Sequence, residues 1–266
     1  MSPHFLRYLS CGLALLAAGC AVAPRPDAPT APIADVPGAW HAGAAGADPI
    51  GWTHWKVRRD KKETRYTVVI DAVVQADGGL REQAVLKAQA DGSASGLRRE
   101  WKADLSQTPV LRWQWKVVDL IAEADNTRRD LEDAPVRLIL AFDGDRSKLP
   151  FSERLLADQV RLLTGNELPY ATLMYIWENR QPEGSIIANA YSARVKMVVA
   201  QSGRDAVGQW QTRERDVVAD FERAFGEKPG RLLGISVLTD TDNTGAQVEA
   251  YYGDLGFEAH PVAAAR

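Results

Sequence analysis

Residues 111–144, LRWQWKVVDLIAEADNTRRDLEDAPVRLILAFDG, decide the fold. Leu111, Trp113, Trp115 and Val117 alternate with Arg112, Gln114 and Lys116. After a polar loop, Val136, Leu138, Leu140 and Phe142 alternate with Arg137, Ile139 and Ala141. Successive side chains of a strand point to opposite faces, so each segment reads as a strand with one dry and one wet face. Antiparallel sandwich sheets have that pattern, whereas buried parallel strands are apolar throughout. The loop between them holds Asp125, Asn126, Arg128, Arg129, Asp130, Glu132 and Asp133.

Working outward, residues 52–57, 65–72, 173–177, 194–200, 232–239 and 248–257 read as further strands. In 194–200, Val195, Met197 and Val199 oppose Arg194, Lys196 and Val198. Residues 84–90 and 95–101 flank Asp91-Gly92, a hairpin signal. Leu155, Leu156, Gln159, Val160, Leu162 and Leu163 recur at helical spacing after Ser152. A second helix is expected over 216–225, capped by Asp216 and stopped by Gly226. Many short strands with two short helical insertions predict a mainly β chain, an antiparallel β-sandwich of jelly-roll-like form.

The N-terminus is not fold. His4 and Arg7 precede the short apolar run 9–18, which is too short to span a bilayer and reads as a secretory signal. It ends Leu16-Ala17-Ala18-Gly19-Cys20, which resembles a bacterial lipobox, so Cys20 is expected to carry the lipid. No aspartate follows it, which by resemblance to enterobacterial sorting favours the outer membrane, facing the periplasm. Cys11 and Cys20 are the only cysteines, leaving no disulfide for the mature domain. Residues 21–47, rich in Ala, Pro and Gly, read as a tether. The expected organisation is a signal peptide over 1–19, lipidated Cys20 and tether to 47, a sandwich over 48–260 and a tail over 261–266. The 266 residues carry a net charge of −3, which argues against a nucleic-acid binder.

Five stretches resemble the bacterial family called domain of unknown function 3047. They are VLKAQADGSASGL (85–97), PVLRWQWKV (109–117), ADNTRRDLEDAPVRLILAFDG (124–144), RDVVADFERAFGEKPGRLLGISVLTDTDNTGAQ (215–247) and YYGDLGF (251–257). The resemblance implies no activity. The ending Tyr251-x-Gly253-Asp254-Leu255-x-Phe257 is similar, more loosely, to carbohydrate-binding modules and galactose-binding-like sandwiches.

Chemistry-bearing residues fall into four sets. Trp113 and Trp115 share the apolar phase and belong to the core, whereas Trp101, Trp177, Tyr191, Tyr251 and Tyr252 are freer to form a sugar-stacking platform. Arg112, Gln114, Lys116, Arg137, Arg194 and Lys196 fall out of phase with the apolar set. If their strands share a sheet, they form one basic face, either solvated or part of a cleft for an anionic or polyhydroxylated ligand, with Asp125, Asn126 and Asp130 at its rim. Asp125, Asp130, Glu132, Asp133, Asp143 and Asp145 offer carboxylates for glycoside cleavage, although acid-rich loops are more often turn formers. Asp240-x-Asp242-x-Thr244-Gly245 imitates half of a calcium loop, with Asp254 as a further oxygen donor. Its twelfth position is Tyr251 rather than Glu, so it is not an EF-hand, and a turn explains it as well.

Only His54, of the four histidines, lies clearly within the domain, and no nucleophile elbow, P-loop or dinucleotide fingerprint is present in the sequence. The expectation is a non-catalytic, envelope-anchored lipoprotein that binds a glycan or cell-envelope component, without a cofactor other than a structural Ca2+. The rivals are a carbohydrate-active enzyme with paired carboxylates and a structural or assembly protein of the envelope.

Overall fold

Two sheets face each other in the computed structural model, which describes residues 38–260 apart from 45–46, 59, 76, 165–166 and 191. The signal, Cys20, most of the tether, Tyr191 and the tail 261–266 lie outside the described residues. The larger sheet runs β1 (Thr53–Lys56), β4 (Ala94–Glu100), β11 (Leu232–Asp240), β6 (Ala134–Phe142), β7 (Ala171–Glu178), β9 (Val195–Ser202) and β8 (Ile186–Ala188). The smaller runs β10 (Gln211–Asp216), β5 (Val110–Val117), β12 (Gln247–Glu258), β3 (Leu80–Asp91) and β2 (Arg65–Val74). Neighbours are antiparallel, except that β7 and β9 pair in parallel. Helix α1 (Phe151–Thr164) connects β6 to β7, and α2 (Val217–Phe225) connects β10 to β11.

The alternation that predicted the strands also supplies the core. Leu111, Trp113, Trp115 and Val117 of β5 face Val136, Leu138, Leu140 and Phe142 of β6 across the sandwich, all buried in one cluster. Trp113 stacks on Tyr175 of β7 at 5.0 Å, and Trp115 lies 6.3 Å from Trp177. Each such side chain contributes roughly 1.5–3 kcal/mol or more on burial. Helix α2 closes one end: Asp216 accepts from the Ala219 amide at 2.9 Å, Phe221 packs edge-on against Phe142, and Gly226 stops the helix at φ 72°.

Five connections cross from one sheet to the other at the same pole. They join β1 to β2, β3 to β4, β5 to β6, β9 to β10 and β11 to β12. The Asp91-Gly92 signal is therefore a crossover and not a hairpin: β3 pairs with β2 and β12, while β4 pairs with β1 and β11. Alternation tells a strand which side is dry, but not which sheet it will join. Tyr252, expected to be free for a platform, is buried here; its hydroxyl donates to Leu238 O at 2.7 Å and accepts from the Arg137 amide at 3.3 Å. It fills the irregularity where β11 and β6 change register.

The outer face of the larger sheet is covered. Ile176, Ile187, Met197 and Val199 form a second apolar cluster there. This inverts the expectation for β9: Val198 and Ala200 enter the main core, and Met197 and Val199 serve the other face. A strand covered on both sides is apolar on both, so its alternation carries no sign.

Candidate functional site

The out-of-phase residues of β5 remain open. Arg112, Gln114 and Lys116 project from the outer face of the smaller sheet, where β12 presents Glu249 and Tyr251 and β3 presents Gln83, Lys87 and Gln89. This face is curved. Strands β2 and β5 are three steps apart, about 14 Å in a flat sheet. Yet the Gln114 amide donates to Val74 O, on β2, at 3.1 Å, so the sheet curls until its edge closes over its own face. Lys116 also reaches Asp71 of β2 as an ion pair. Val73 and Val85 are buried within the curl.

Trp210, just before β10, lies across the middle of this face. Its indole nitrogen donates to Asp71 Oδ2 at 3.2 Å. Lys116 Nζ sits 4.4 Å from the Tyr251 ring centre and 5.1 Å from that of Trp210, and the two rings meet edge to face at 6.3 Å. Close approach explains Gly253: a β-carbon there would come within 2.9 Å of Gln114 Cβ and 3.3 Å of the Trp210 ring. Burial works to raise the Asp71 carboxyl, but the bonds from Lys116, the Ala72 amide and Trp210 outweigh it and hold Asp71 below the usual range.

A concavity lies at each end of this aromatic ridge. One, of about 310 Å³, is lined by Gln75, Arg81, Gln83, Arg112, Gln114, Asp254 and Glu258 together with Leu255 and Gly256. A bulge builds it: between Tyr252 and Leu255, β12 has two residues against one of β5. The extra residue returns Leu255 to the core and leaves Asp254 at the surface. Partial desolvation raises the Asp254 carboxyl above its ordinary value, against the pull of Arg81, although the side chain still meets solvent. The other concavity, of about 550 Å³, is lined by Lys62, Glu63, Arg65, Gln89, Asp91, Gln247 and Glu249, among others. The order along β3 and β12 places the ridge between them.

The remaining expected site residues lie elsewhere. Arg112 and Arg137 are on different sheets, so the single basic face does not exist. Arg137 is 2% exposed, its Nε 2.9 Å from Asp240 Oδ1 and its Nη2 2.8 Å from Glu132 O. Arg194 precedes β9 and pairs with Glu227 at 2.8 Å, over the rings of Tyr170 and Phe225. Lys196 shares the inward phase of Val198 at the start of β9, away from β5. Asp125 is held by Thr127, Asp130 by Arg128, and buried Asn126 donates to Asp133 O at 3.1 Å. None of these lines either concavity. The six loop acids also divide, since Asp133 precedes β6 while Asp143 and Asp145 follow it. As for the platform aromatics, Trp101 and Trp177 are buried, and Tyr251 alone of the described ones stands on the open face.

Asp240 and Asp242 do approach each other, joined by Asp133, with one oxygen from each within 4.8 Å of the others. Much of this oxygen set is engaged by the protein. Asp240 takes Arg137 and the Ala134 amide, Asp242 takes Lys61 at 2.7 Å, and Asp133 takes the Thr244 amide and hydroxyl, each at 2.7 Å. Thr244 thus acts as a donor, and Asp254 belongs to the smaller sheet's concavity, so the expected ligand set is not assembled.

Gln75, Arg81, Gln83, Glu258, Asp71 and Trp210 are the residues that sequence reasoning missed. Arg81, Gln83, Lys87 and Gln89 alternate along β3, which is the signal that could have revealed them.

No curated relative matches the chain. Solved structures with a similar course include a family 30 carbohydrate-binding module of a cellulosomal cellulase of Clostridium thermocellum, at 11% identity and TM-score 0.34, covering 74% of this chain and 84% of that one. The xyloglucanase domain of NopAA from Sinorhizobium fredii, in complex with cellobiose, aligns at 7% identity and TM-score 0.39 over 79% and 94%. SGBP-B, from a xyloglucan utilization locus in Bacteroides uniformis, aligns at 12% and 0.33 over 77% and 47%. The model of the family described as protein of unknown function (DUF3047) matches residues 50–256, and the chain belongs to that family.

Proposed function

We propose that this chain is a lipoprotein, anchored through Cys20, whose sandwich binds a glycan of the cell envelope along the outer face of its smaller sheet. The observation that carries the reading is the ridge of Trp210, Tyr251 and Lys116 with a polar concavity on either side. Sugars offer apolar C–H faces and a fringe of hydroxyls. Half-buried Trp and Tyr rings suit the first, and amides, guanidinium groups and carboxylates suit the second. The two concavities sit toward opposite ends of β12, and between them the Gln114–Val74 and Trp210–Asp71 bonds close the middle of the face. The anchor at Cys20 and the tether that follows would hold the domain at the envelope, in our reading at the outer membrane facing the periplasm.

Binding fits this groove better than cleavage. In the larger concavity every carboxylate is tied to a cation: Glu63 to Lys56, Asp91 to Lys62 and Glu249 to Lys87. In the smaller, Asp254 and Glu258 lie four positions apart on one strand. The test is a glycan array with envelope polysaccharides, probed with wild type and with Gln114→Ala and Tyr251→Ala. Each substitution is expected to weaken the leading glycan roughly tenfold, as losing one good polar or stacking contact does. Equal binding by all three proteins would contradict the reading.

A further inference from the structure

Helix α1 has two faces of unlike use. Leu156 and Val160 turn inward, and Glu153 accepts from the Ser192 hydroxyl at 2.7 Å and the Ala193 amide at 2.8 Å, which fixes the helix to the domain. Away from these, Phe151, Leu155 and Leu162 are 73%, 45% and 81% exposed. At 3.6 residues per turn the three fall within an arc of about 40°, so they form one stripe along the helix. Arg154 and Arg161 run along one side of it, and Asp158, between the arc and these arginines, is paired with Arg161 at 3.5 Å. Arg146 and Lys148 stand in the turn just before it.

The stripe emerges at a particular pole. Helix α1 follows the end of β6, where Phe142 pairs with Leu232. Beside it Trp101 donates its amide to Leu233 O and packs on Phe257, and Leu233 is itself 37% exposed. Gly38, the first described residue, accepts from the Leu255 amide at 3.0 Å and lies against Trp101. The chain therefore enters the domain at the end of the sandwich from which α1 projects. Residues 21–37 can span at most about 60 Å, so a lipid on Cys20 would keep this end near the bilayer.

We infer that α1 lies on the surface of the anchoring membrane, with Phe151, Leu155 and Leu162 in the acyl–headgroup boundary and Arg154 and Arg161 among anionic headgroups. An interfacial helix of this kind combines an apolar stripe with flanking cations, and it gives a lipid-anchored protein its second attachment. The inference rests on the anchor at Cys20 and is independent of the glycan reading. It has one geometric consequence. β12 runs from the far pole toward this one, so the larger concavity stands away from the membrane, with Arg112 and Glu258 of the smaller one at the near end.

The experiment uses the full lipoprotein reconstituted into vesicles of equal phosphatidylcholine and phosphatidylglycerol. An environment-sensitive fluorophore is placed at Leu162→Cys or, as a far-pole control, at Gln247→Cys. The expected result is a blue shift at position 162 with quenching by brominated acyl chains, and neither effect at 247. Leu155→Glu should remove the effect while leaving the melting temperature unchanged. An unshifted probe at 162 in protein that sediments with the vesicles overturns the inference and leaves the glycan reading intact. So does a shift at 162 that needs no vesicles and grows with protein concentration, which would make the stripe a contact between copies. Failure of the protein to sediment with vesicles overturns it as well, because its anchor would be absent.

Discussion

The two sheets treat their outward-facing arginines in opposite ways. Arg112 on β5 pairs with Glu214 at 2.8 Å on a face that is open to solvent. Arg137 on β6 is enclosed by Asp240, Glu132 and Met197. Both occupy the polar phase of an alternating strand. The difference lies in what covers them. Over the larger sheet, the loop between β5 and β6 is tied down by Asn179, which donates to Ile121 O and Ala124 O, and by Asn189, which donates to Glu132. The smaller sheet instead curls around its own outer face and leaves a concavity on either side of the closure, along β3 and β12. A polar phase thus marks either a solvent face or a buried ion pair, and the covering segment decides which.

The strongest way to break this comparison is Arg137→Ala. It leaves buried Asp240 beside Asp133 without its cation, and losing one partner of a buried pair costs about 3–5 kcal/mol. Urea unfolding should show a loss of that size, and a loss below about 1 kcal/mol would mean that Arg137 is not buried as described. Acidity probes the same pocket. Burial pushes the Asp240 carboxyl up from 3.8 to about 6, against Arg137, and burial raises Glu132 as well. A carboxyl raised in the folded state favours folding most below its unfolded value and loses that contribution as pH rises through the folded one. Stability attributable to Asp240 should therefore fall by up to about 3 kcal/mol between pH 4 and pH 7. Asp240→Asn should remove that decline, whatever it does to stability at a fixed pH; an unchanged slope would contradict the assignment.

The sequence made the sandwich legible because burial on one face leaves a period of two, which residues 111–117 show without interruption, whereas in 136–142 only Arg137 breaks an apolar run that is buried on both faces. The pairing of sheets was not legible. Asp91-Gly92 has the chemistry of a tight turn, and such a turn serves a crossover as well as a hairpin. Of the site, Arg112, Gln114 and Lys116 could be read from phase, whereas Tyr251 was expected only as one platform aromatic beside Tyr252, which the opposite phase buries. Trp210 could not, since it precedes a strand, β10, whose polar sequence Gln211–Asp216 gives no apolar alternation. Asp254 was hidden by the bulge, which changes the phase of β12 midway.

Smaller effects sharpen the contrast on the open face. Lys116→Met breaks its partly exposed pair with Asp71, and such pairs are worth about 0–1 kcal/mol. Its loss should be measurable only at low salt and vanish when salt screens the pair. Arg112→Ala should change stability least, within about 0.5 kcal/mol. A cost for Arg112 that matched that for Arg137 would erase the distinction between the two faces.

In the function proposed above, the curled face of the smaller sheet is the ligand surface. Its most direct test is hydrogen–deuterium exchange of the protein with and without the leading glycan from the array. Added protection is expected along β3, β5 and β12 and in the segment carrying Trp210, with the loop between β5 and β6 unchanged. Protection confined to that loop and to β7 through β9, with none on β12, would contradict it.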